Sequence, residues 1–113
     1  GGMPGTKRLA AHEGLAALLK EKNEEGKRLA AICAAPSVLG GLGLLKGRRA
    51  ACYPGFEEAL TGAEVSFDPV VVCGTVTTSR GMGTAIPFAL ALTEQLAGKE
   101  KADALAKGII YAV

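Results

Sequence analysis

The sequence predicts a fold of the α/β class. Short apolar runs of strand length, such as Leu29–Ile32 and Val70–Cys73, alternate with longer segments whose apolar residues recur at helical spacing. The chain has 113 residues, which is enough for one domain or part of one and not for two. Because 49% of its residues are hydrophobic, we expect the chain to be globular. We therefore expect residues 1–113 to belong to a single α/β domain.

Each predicted element has a local signal. Helices are expected where apolar residues repeat every three or four positions, and strands where a short apolar run is bounded by Gly or Pro. The predicted helices cover 9–25, 37–45, 56–60, 84–96 and 99–107, and the predicted strands cover 28–32, 50–53, 64–67, 70–73 and 76–78. Gly26 is expected to end the first helix and Gly74 to form a hairpin, while Pro87 lies in the first turn of its helix.

Charge and cysteine content argue against several classes of protein. The 13 basic and 11 acidic residues are interleaved, without the cluster of cations and aromatics that is typical of a nucleic-acid surface. No apolar stretch approaches the roughly 20 residues that span a bilayer. The 3 cysteines have no paired spacing, which argues against a disulfide framework and favours a reducing compartment. They also have no neighbouring histidine, which argues against a structural zinc site. We expect a cytoplasmic protein that needs no metal or cofactor and binds neither nucleic acid nor membrane.

The most informative segment places Cys33 where a strand turns abruptly into a helix. A nucleophile elbow needs small residues two positions before and after the nucleophile, and here these are Ala31 and Ala35 rather than the usual glycines. A thiol at a helix N-terminus meets unpaired N–H groups that favour the thiolate, and the amide of Ala34 would point at an oxyanion. The alternative is that Cys33 is a buried packing residue, and the pattern alone does not separate the two.

Four segments of the sequence, taken in order, resemble the motifs of one family. They are 30–36 (AAICAAP), 41–47 (GLGLLKG), 52–55 (CYPG) and 78–84 (TSRGMGT). Several ordered motifs are more specific than the elbow alone. The sequence is therefore similar to the DJ-1/ThiJ/PfpI superfamily, and most similar to its DJ-1/ThiJ branch.

The resemblance implies a flavodoxin-like (Rossmann-like) α/β/α sandwich with a catalytic cysteine at the elbow, normally as a homodimer. Gly1-Gly2 matches the family's glycine pair, so the amides of Gly2 and Ala34 are the implied oxyanion hole, the alternative for the pair being an ordinary turn. The family's acidic partner of the sulfur matches no residue of this sequence. We expect this chain to be the C-terminal portion of the domain, with the first strands and helix in an upstream segment that is present as a separate piece.

The sequence departs from the family pattern at two positions. Many relatives place a histidine directly after the cysteine or before the proline of the third motif, where this sequence has Ala34 and Tyr53. A Cys-His dyad is therefore not expected, and Tyr53 is a possible site contact through one hydrogen bond.

Arg80 either holds the turn of the fourth motif or contributes to an anion or dimer site. His12 is expected to cap a helix or to face solvent.

Two functions are compatible with these residues. In the first, Cys33 attacks a small-molecule carbonyl substrate and either hydrates a 2-oxoaldehyde or removes its adduct from protein amines, as the resemblance implies. In the second, Cys33 is a redox sensor that is oxidised reversibly or to sulfinate, with chaperone-like protection as the output. Both functions leave Cys52 and Cys73, which lie in strand-like runs, as packing residues.

Overall fold

The computed structural model describes residues 1–111, which form a mixed α/β structure, as predicted. The helices are α1 (Gly5–Ala11), α2 (Glu13–Glu24), α3 (Pro36–Gly41), α4 (Ala85–Ala97) and α5 (Lys99–Gly108). The strands are β1 (Leu29–Ile32), β2 (Arg49–Ala50), β3 (Glu64–Val65), β4 (Val70–Cys73) and β5 (Val76–Ser79). Single 3₁₀ turns occupy Glu57–Ala59 and Met82–Thr84.

Strand β5 is the centre of a three-stranded sheet with the order β1-β5-β4. It runs parallel to β1 and antiparallel to β4, which confirms the predicted hairpin at Gly74. The register pairs Ile32 with Ser79, so the carboxyl ends of β1 and β5 lie side by side. Strands β2 and β3 form a separate parallel pair. Open α/β sheets bind ligands outside the carboxyl ends of their strands, and Cys33 directly follows β1 at this end.

The strands formed by the two apolar runs, β1 and β4, are not covered on both faces within residues 1–111. Strand β1 is an edge of the described sheet, and its Ala30 is exposed. Val72 in β4 is 42% exposed. All residues of the central strand β5 are buried, by contrast. Burial in this sheet therefore falls from the centre to the edges.

The core is built mainly from aliphatic side chains, and it includes residues of the sheet and of α3. Its buried members are Leu29, Leu39, Leu45, Ala50, Cys52, Leu60 and Val76. Helix α3 approaches the first 3₁₀ turn so closely that a Cβ atom at Gly40 would overlap the carbonyl oxygen of Ala59. A glycine is required there because only a residue without a side chain allows this contact.

Three predicted helices differ from the observed ones, and the one over 56–60 is only a 3₁₀ turn at Glu57–Ala59. The helix predicted over 9–25 is two helices, because His12 is extended (φ −81°, ψ 105°) and its Nδ1 accepts a 2.9 Å hydrogen bond from the amide of Leu15. This confirms the capping role expected for His12. Gly26 follows the C-cap of α2 at φ +73°, as predicted. Helix α3 ends at Gly41, before the predicted residue 45, and Gly43 then adopts φ +77°.

The strands predicted over 50–53 and 64–67 are reduced to the two-residue strands β2 and β3. The backbone of Cys52 and Tyr53 leaves the pair because it forms hydrogen bonds with other segments, described below. None of the helices in the described part of the chain is long and apolar enough to span a bilayer. Residues 1–111 also contain no group of three or more His, Cys, Asp or Glu side chains that could bind a metal ion.

Candidate active site around Cys33

Cys33 adopts the backbone conformation of an elbow. Its φ is +66°, in the left-handed region that non-glycine residues rarely occupy. It directly follows β1, and a short turn through Ala34 and Ala35 leads from it into α3. Ala34 is only 2% exposed, and the thiol-bearing residue itself is half-buried. Strain of this kind persists only where surrounding contacts hold it, and it is concentrated at functional sites.

Both backbone polar groups of Cys33 are hydrogen-bonded to other segments. Its amide donates to the carbonyl oxygen of Ser79 at 3.1 Å, and its carbonyl oxygen accepts from the amide of Tyr53 at 2.8 Å. The Nε atom of Arg80 donates to the carbonyl oxygen of Cys52 at 3.3 Å. The structure therefore brings Tyr53 and Arg80, the two predicted site contacts, into one hydrogen-bonded assembly with Cys33.

The amide of Ala34 is the one predicted oxyanion donor that lies inside the elbow. The amides on either side are bonded, that of Cys33 as above and that of Ala35 to the carbonyl oxygen of Ile32 at 3.2 Å. Within residues 1–111 the amide of Ala34 has no acceptor. The hydroxyl of Ser37 donates to the carbonyl oxygen of Ala34 at 2.6 Å, which fixes the turn. An unpaired amide beside a thiol is the geometry that oxyanion stabilisation needs.

The glycine pair lies against the elbow. A Cβ atom at Gly1 would be 3.4 Å from the carbonyl oxygen of Ile32 and 3.7 Å from the Cβ of Cys33. Gly2 is exposed with φ +70°, and its carbonyl oxygen accepts from the amide of Thr6 at 2.8 Å. That bond fixes the pair to the first turn of α1. The structure thus brings Gly1 into contact distance of the elbow, and the amide of Gly2 stays a predicted donor.

Tyr53 contacts the elbow through its backbone rather than its phenol. The ring is 49% exposed and packs edge-on against Phe56, with centroids 6.5 Å apart and an angle of 67° between the rings. A Cβ atom at Gly81 would be 3.5 Å from the ring, so Tyr53 also borders the turn after β5. Within residues 1–111 the phenol forms no hydrogen bond, so the side-chain contact expected for Tyr53 stays a prediction.

The backbone of Arg80 forms part of the hydrogen-bonded turn of the fourth motif, while the two roles predicted for this residue stay predictions. Its amide and that of Gly81 both donate to the hydroxyl of Thr84, at 3.2 and 3.0 Å. The guanidinium carbon lies 5.4 Å from the centroid of the Phe67 ring, a cation–π contact. Arg80 is therefore fixed at its backbone and along its side chain.

Thr84 is the residue at this site that the sequence pattern missed. Its hydroxyl lies 2.6 Å from the hydroxyl of Ser79, which also lies 2.6 Å from the carbonyl oxygen of Pro69. The carbonyl oxygen of Ser79 accepts from the amide of Cys33, so a network that holds Ser79 in place also supports the elbow. The signal was present in the motif TSRGMGT, which ends at Thr84, but a hydroxyl in a motif does not reveal its partners.

The other cysteines differ from Cys33 in their surroundings. Cys52 is 2% exposed in the core, and burial raises the pKa of its thiol above the ordinary value of 9.0. The negative charge of Glu57 adds to this shift and the positive charge of Arg80 opposes it. The packing role predicted for Cys52 is confirmed. Cys73 is half-buried and is the last residue of β4, next to the hairpin turn at Gly74 and at the opposite end of the hairpin from Ser79.

Known proteins match this chain along most of its length. The model of the DJ-1/PfpI family matches residues 1–95. The DJ-1 homolog A of Arabidopsis thaliana is 45% identical over 106 residues, which are 91% of this chain and 27% of that protein. The glutathione-independent glyoxalase DJR-1.2 of Caenorhabditis elegans is 37% identical over 113 residues, which are 98% of this chain and 60% of that protein.

Solved structures agree with the observed architecture. The oxidized DJ-1 of Toxoplasma gondii is 41% identical and superposes with a TM-score of 0.94, over 100% of this chain and 62% of that one. The chain thus spans less than two thirds of the length of these relatives. Its elements have the flavodoxin-like α/β fold of these neighbours, as predicted. On its sequence and on its structure, the chain belongs to the DJ-1/PfpI family.

Proposed function

We propose that Cys33 is the nucleophile of an enzyme that acts on small carbonyl compounds, with 2-oxoaldehydes such as methylglyoxal as the substrate class. The observation that carries this proposal is the backbone of Cys33, which is left-handed and hydrogen-bonded at both its amide and its carbonyl. These bonds leave the thiol and the amide of Ala34 available to a substrate. A nucleophile and an oxyanion donor on adjacent residues are the minimum for addition to a carbonyl group.

In the proposed reaction the sulfur of Cys33 forms a bond to the aldehyde carbon, and the electron pair of the carbonyl bond moves to oxygen. The amides of Ala34 and Gly2 would stabilise that oxygen. Transfer of the aldehyde hydrogen as a proton to the neighbouring carbon, whose oxygen takes the proton lost by the thiol, converts the adduct into a lactoyl thioester. Water then hydrolyses the thioester and restores the thiol. The sum is methylglyoxal plus water giving lactate, which balances without an oxidant. Reversing adducts of 2-oxoaldehydes on protein amines would use the same addition step.

The relatives support this substrate class. A protein named a glutathione-independent glyoxalase is similar to nearly the whole of this chain. His12, the only histidine of the sequence, caps α2, where its Nδ1 accepts from the amide of Leu15. The proposed chemistry therefore does not use a Cys-His dyad.

A second candidate is a redox sensor based on the same thiol. It is favoured by the similarity to a DJ-1 protein whose structure was solved in an oxidized state. A half-buried cysteine at an elbow can be oxidised stepwise by peroxide, through sulfenate to sulfinate. For either function we propose a cytoplasmic location, because a reducing compartment keeps Cys33 as a thiol. We also propose a homodimer, as the family resemblance implies.

The test is turnover of methylglyoxal without glutathione, followed as lactate by NMR. Wild type should turn over, Cys33→Ala should lose activity to background, and Cys73→Ala, a matched change outside the elbow, should keep it. Equal turnover by wild type and Cys33→Ala would overturn the enzymatic proposal. Mass gain of one or two oxygen atoms at Cys33 under peroxide, without turnover, would favour the redox sensor.

A further inference from the structure

The peptide unit between Cys52 and Tyr53 is hydrogen-bonded on both of its sides. Its carbonyl oxygen accepts from Nε of Arg80 at 3.3 Å, and its amide donates to the carbonyl oxygen of Cys33 at 2.8 Å. The unit is a trans peptide, so the two groups point in opposite directions along one rigid plane. The guanidinium of Arg80 is therefore connected to the backbone of Cys33 through a single peptide group.

The side chains on either side of this peptide are packed, but within residues 1–111 the peptide group itself has no other hydrogen bond. Strand β2 ends at Ala50, and the last contact before the peptide is the amide of Ala51, which donates to the hydroxyl of Thr78 at 2.9 Å. Cys33 needs such support, since its φ of +66° is a conformation that its surroundings must impose. The hydrogen bond from Arg80 is the contact that fixes the carbonyl side of the peptide.

The charge of Arg80 also strengthens the contact beyond its geometry. A charged donor polarises the peptide group, which makes the amide of Tyr53 a better donor to Cys33. Residues 79 and 80 thus hold Cys33 from two sides, since Ser79 accepts directly from its amide. We infer that Arg80 is a positioning residue that holds the nucleophile elbow at Cys33 through the Cys52–Tyr53 peptide. The inference rests on the proposed role of Cys33 as the nucleophile.

A purely structural role for the arginine is the competing explanation, and the chain offers a matched control. Arg48 is also half-buried, and its Nη1 donates to the carbonyl oxygen of another cysteine, Cys73, at 3.0 Å. That bond lies at the hairpin end of β4, away from the elbow. Replacing either arginine by glutamine removes one bond from a guanidinium to a cysteine carbonyl, and only one of these bonds leads to Cys33.

The test measures hydrogen exchange of the Tyr53 amide by NMR, with the amide of Ala51 as the internal reference. In Arg80→Gln the exchange of Tyr53 relative to Ala51 should rise about tenfold or more, and alkylation of Cys33 should slow about tenfold, since a bond to a charged donor is lost. Arg48→Gln should change neither ratio. Arg80→Lys, which keeps a charged donor, should restore part of the effect.

Unchanged relative exchange of Tyr53 in a folded Arg80→Gln variant would overturn the inference, as would the same rise in Arg48→Gln. A second measurement uses the wild-type protein, where folding of a variant is not at issue. The Nε–H proton of Arg80 should exchange more slowly than that of the exposed Arg49, and equal rates would contradict the bond. None of these readouts depends on turnover of methylglyoxal. The inference about Arg80 can therefore fail while the proposed function stands, and the proposed function can fail while the Arg80 contact is shown.

Discussion

The backbone amide of Tyr53 donates a 2.8 Å hydrogen bond to the carbonyl oxygen of Cys33. Neither residue lies in a helix or strand, so this bond connects two turns directly to each other. With the bond from the Cys33 amide to Ser79, it fixes the peptide groups on both sides of the cysteine. The strained conformation of Cys33 is thus held by backbone contacts that do not involve its sulfur.

Gly40 should be intolerant of a side chain. A Cβ atom there would overlap the carbonyl oxygen of Ala59, so Gly40→Ala should lower the free energy of unfolding by about 1–3 kcal/mol. Gly41→Ala is the matched control, because a Cβ atom at Gly41 meets open space in the same helix. It should leave stability unchanged or raise it by up to about 1 kcal/mol. Urea denaturation measures both, and equal losses would contradict the packing of α3.

His12 should contribute to stability as the N-cap of α2. Removing its Nδ1 acceptor in His12→Ala leaves the amide of Leu15 without a partner, which should cost about 1 kcal/mol of unfolding free energy. His12→Asn keeps an acceptor at the same position and should be close to wild type. Denaturation curves compare the two variants. If His12→Ala unfolds at the wild-type midpoint, the cap has no energetic role.

Cys52 should make the protein less stable at high pH. Because burial raises the pKa of its thiol, the unfolded chain loses this proton from about pH 9.0 upward while the folded chain keeps it. The stabilisation is therefore complete below the unfolded pKa and is lost as the pH rises through the folded one, with a slope of up to about 1.4 kcal/mol per pH unit. The free energy of unfolding of Cys52→Ala should fall less steeply in this range. If the unfolding free energies of wild type and Cys52→Ala fall with pH at the same slope, Cys52 is not the cause of the loss of stability.

The protein should form a homodimer in solution. The motivation is the family resemblance together with exposed apolar side chains on the helices, among them Leu96 and Ile86 of α4, which are 73% and 47% exposed. Burial of such surface between two copies is favourable. Light scattering at micromolar concentration should give twice the mass of the polypeptide. A monomer that persists across the micromolar range would contradict this.

Features with a local cause could be predicted from the sequence. The elbow at Cys33 is visible because small residues must flank the nucleophile, and Gly26 is visible because a helix end favours a left-handed glycine. The hairpin at Gly74 has the same kind of local signal. Each of these depends on the backbone preferences of a few adjacent residues.

Features that depend on particular side-chain contacts could not be predicted. The helical spacing of leucines continues across His12, so it does not show that the imidazole caps a new helix. Apolar residues continue past Gly41 to Leu45, which is fully buried but enters the core from a turn rather than from α3. The bond from Arg80 to the carbonyl oxygen of Cys52 joins residues distant in sequence and leaves no pattern in either segment.

Pulse alkylation of the native protein tests the central claim, that Cys33 is the reactive thiol, most directly. A brief exposure to iodoacetamide at neutral pH, followed by peptide mass analysis, gives the order in which the free cysteines react. Cys33 should be labelled first, and Cys52, which is buried with a raised thiol pKa, should be labelled last. Labelling of Cys73 or Cys52 ahead of Cys33 would contradict the account of the elbow.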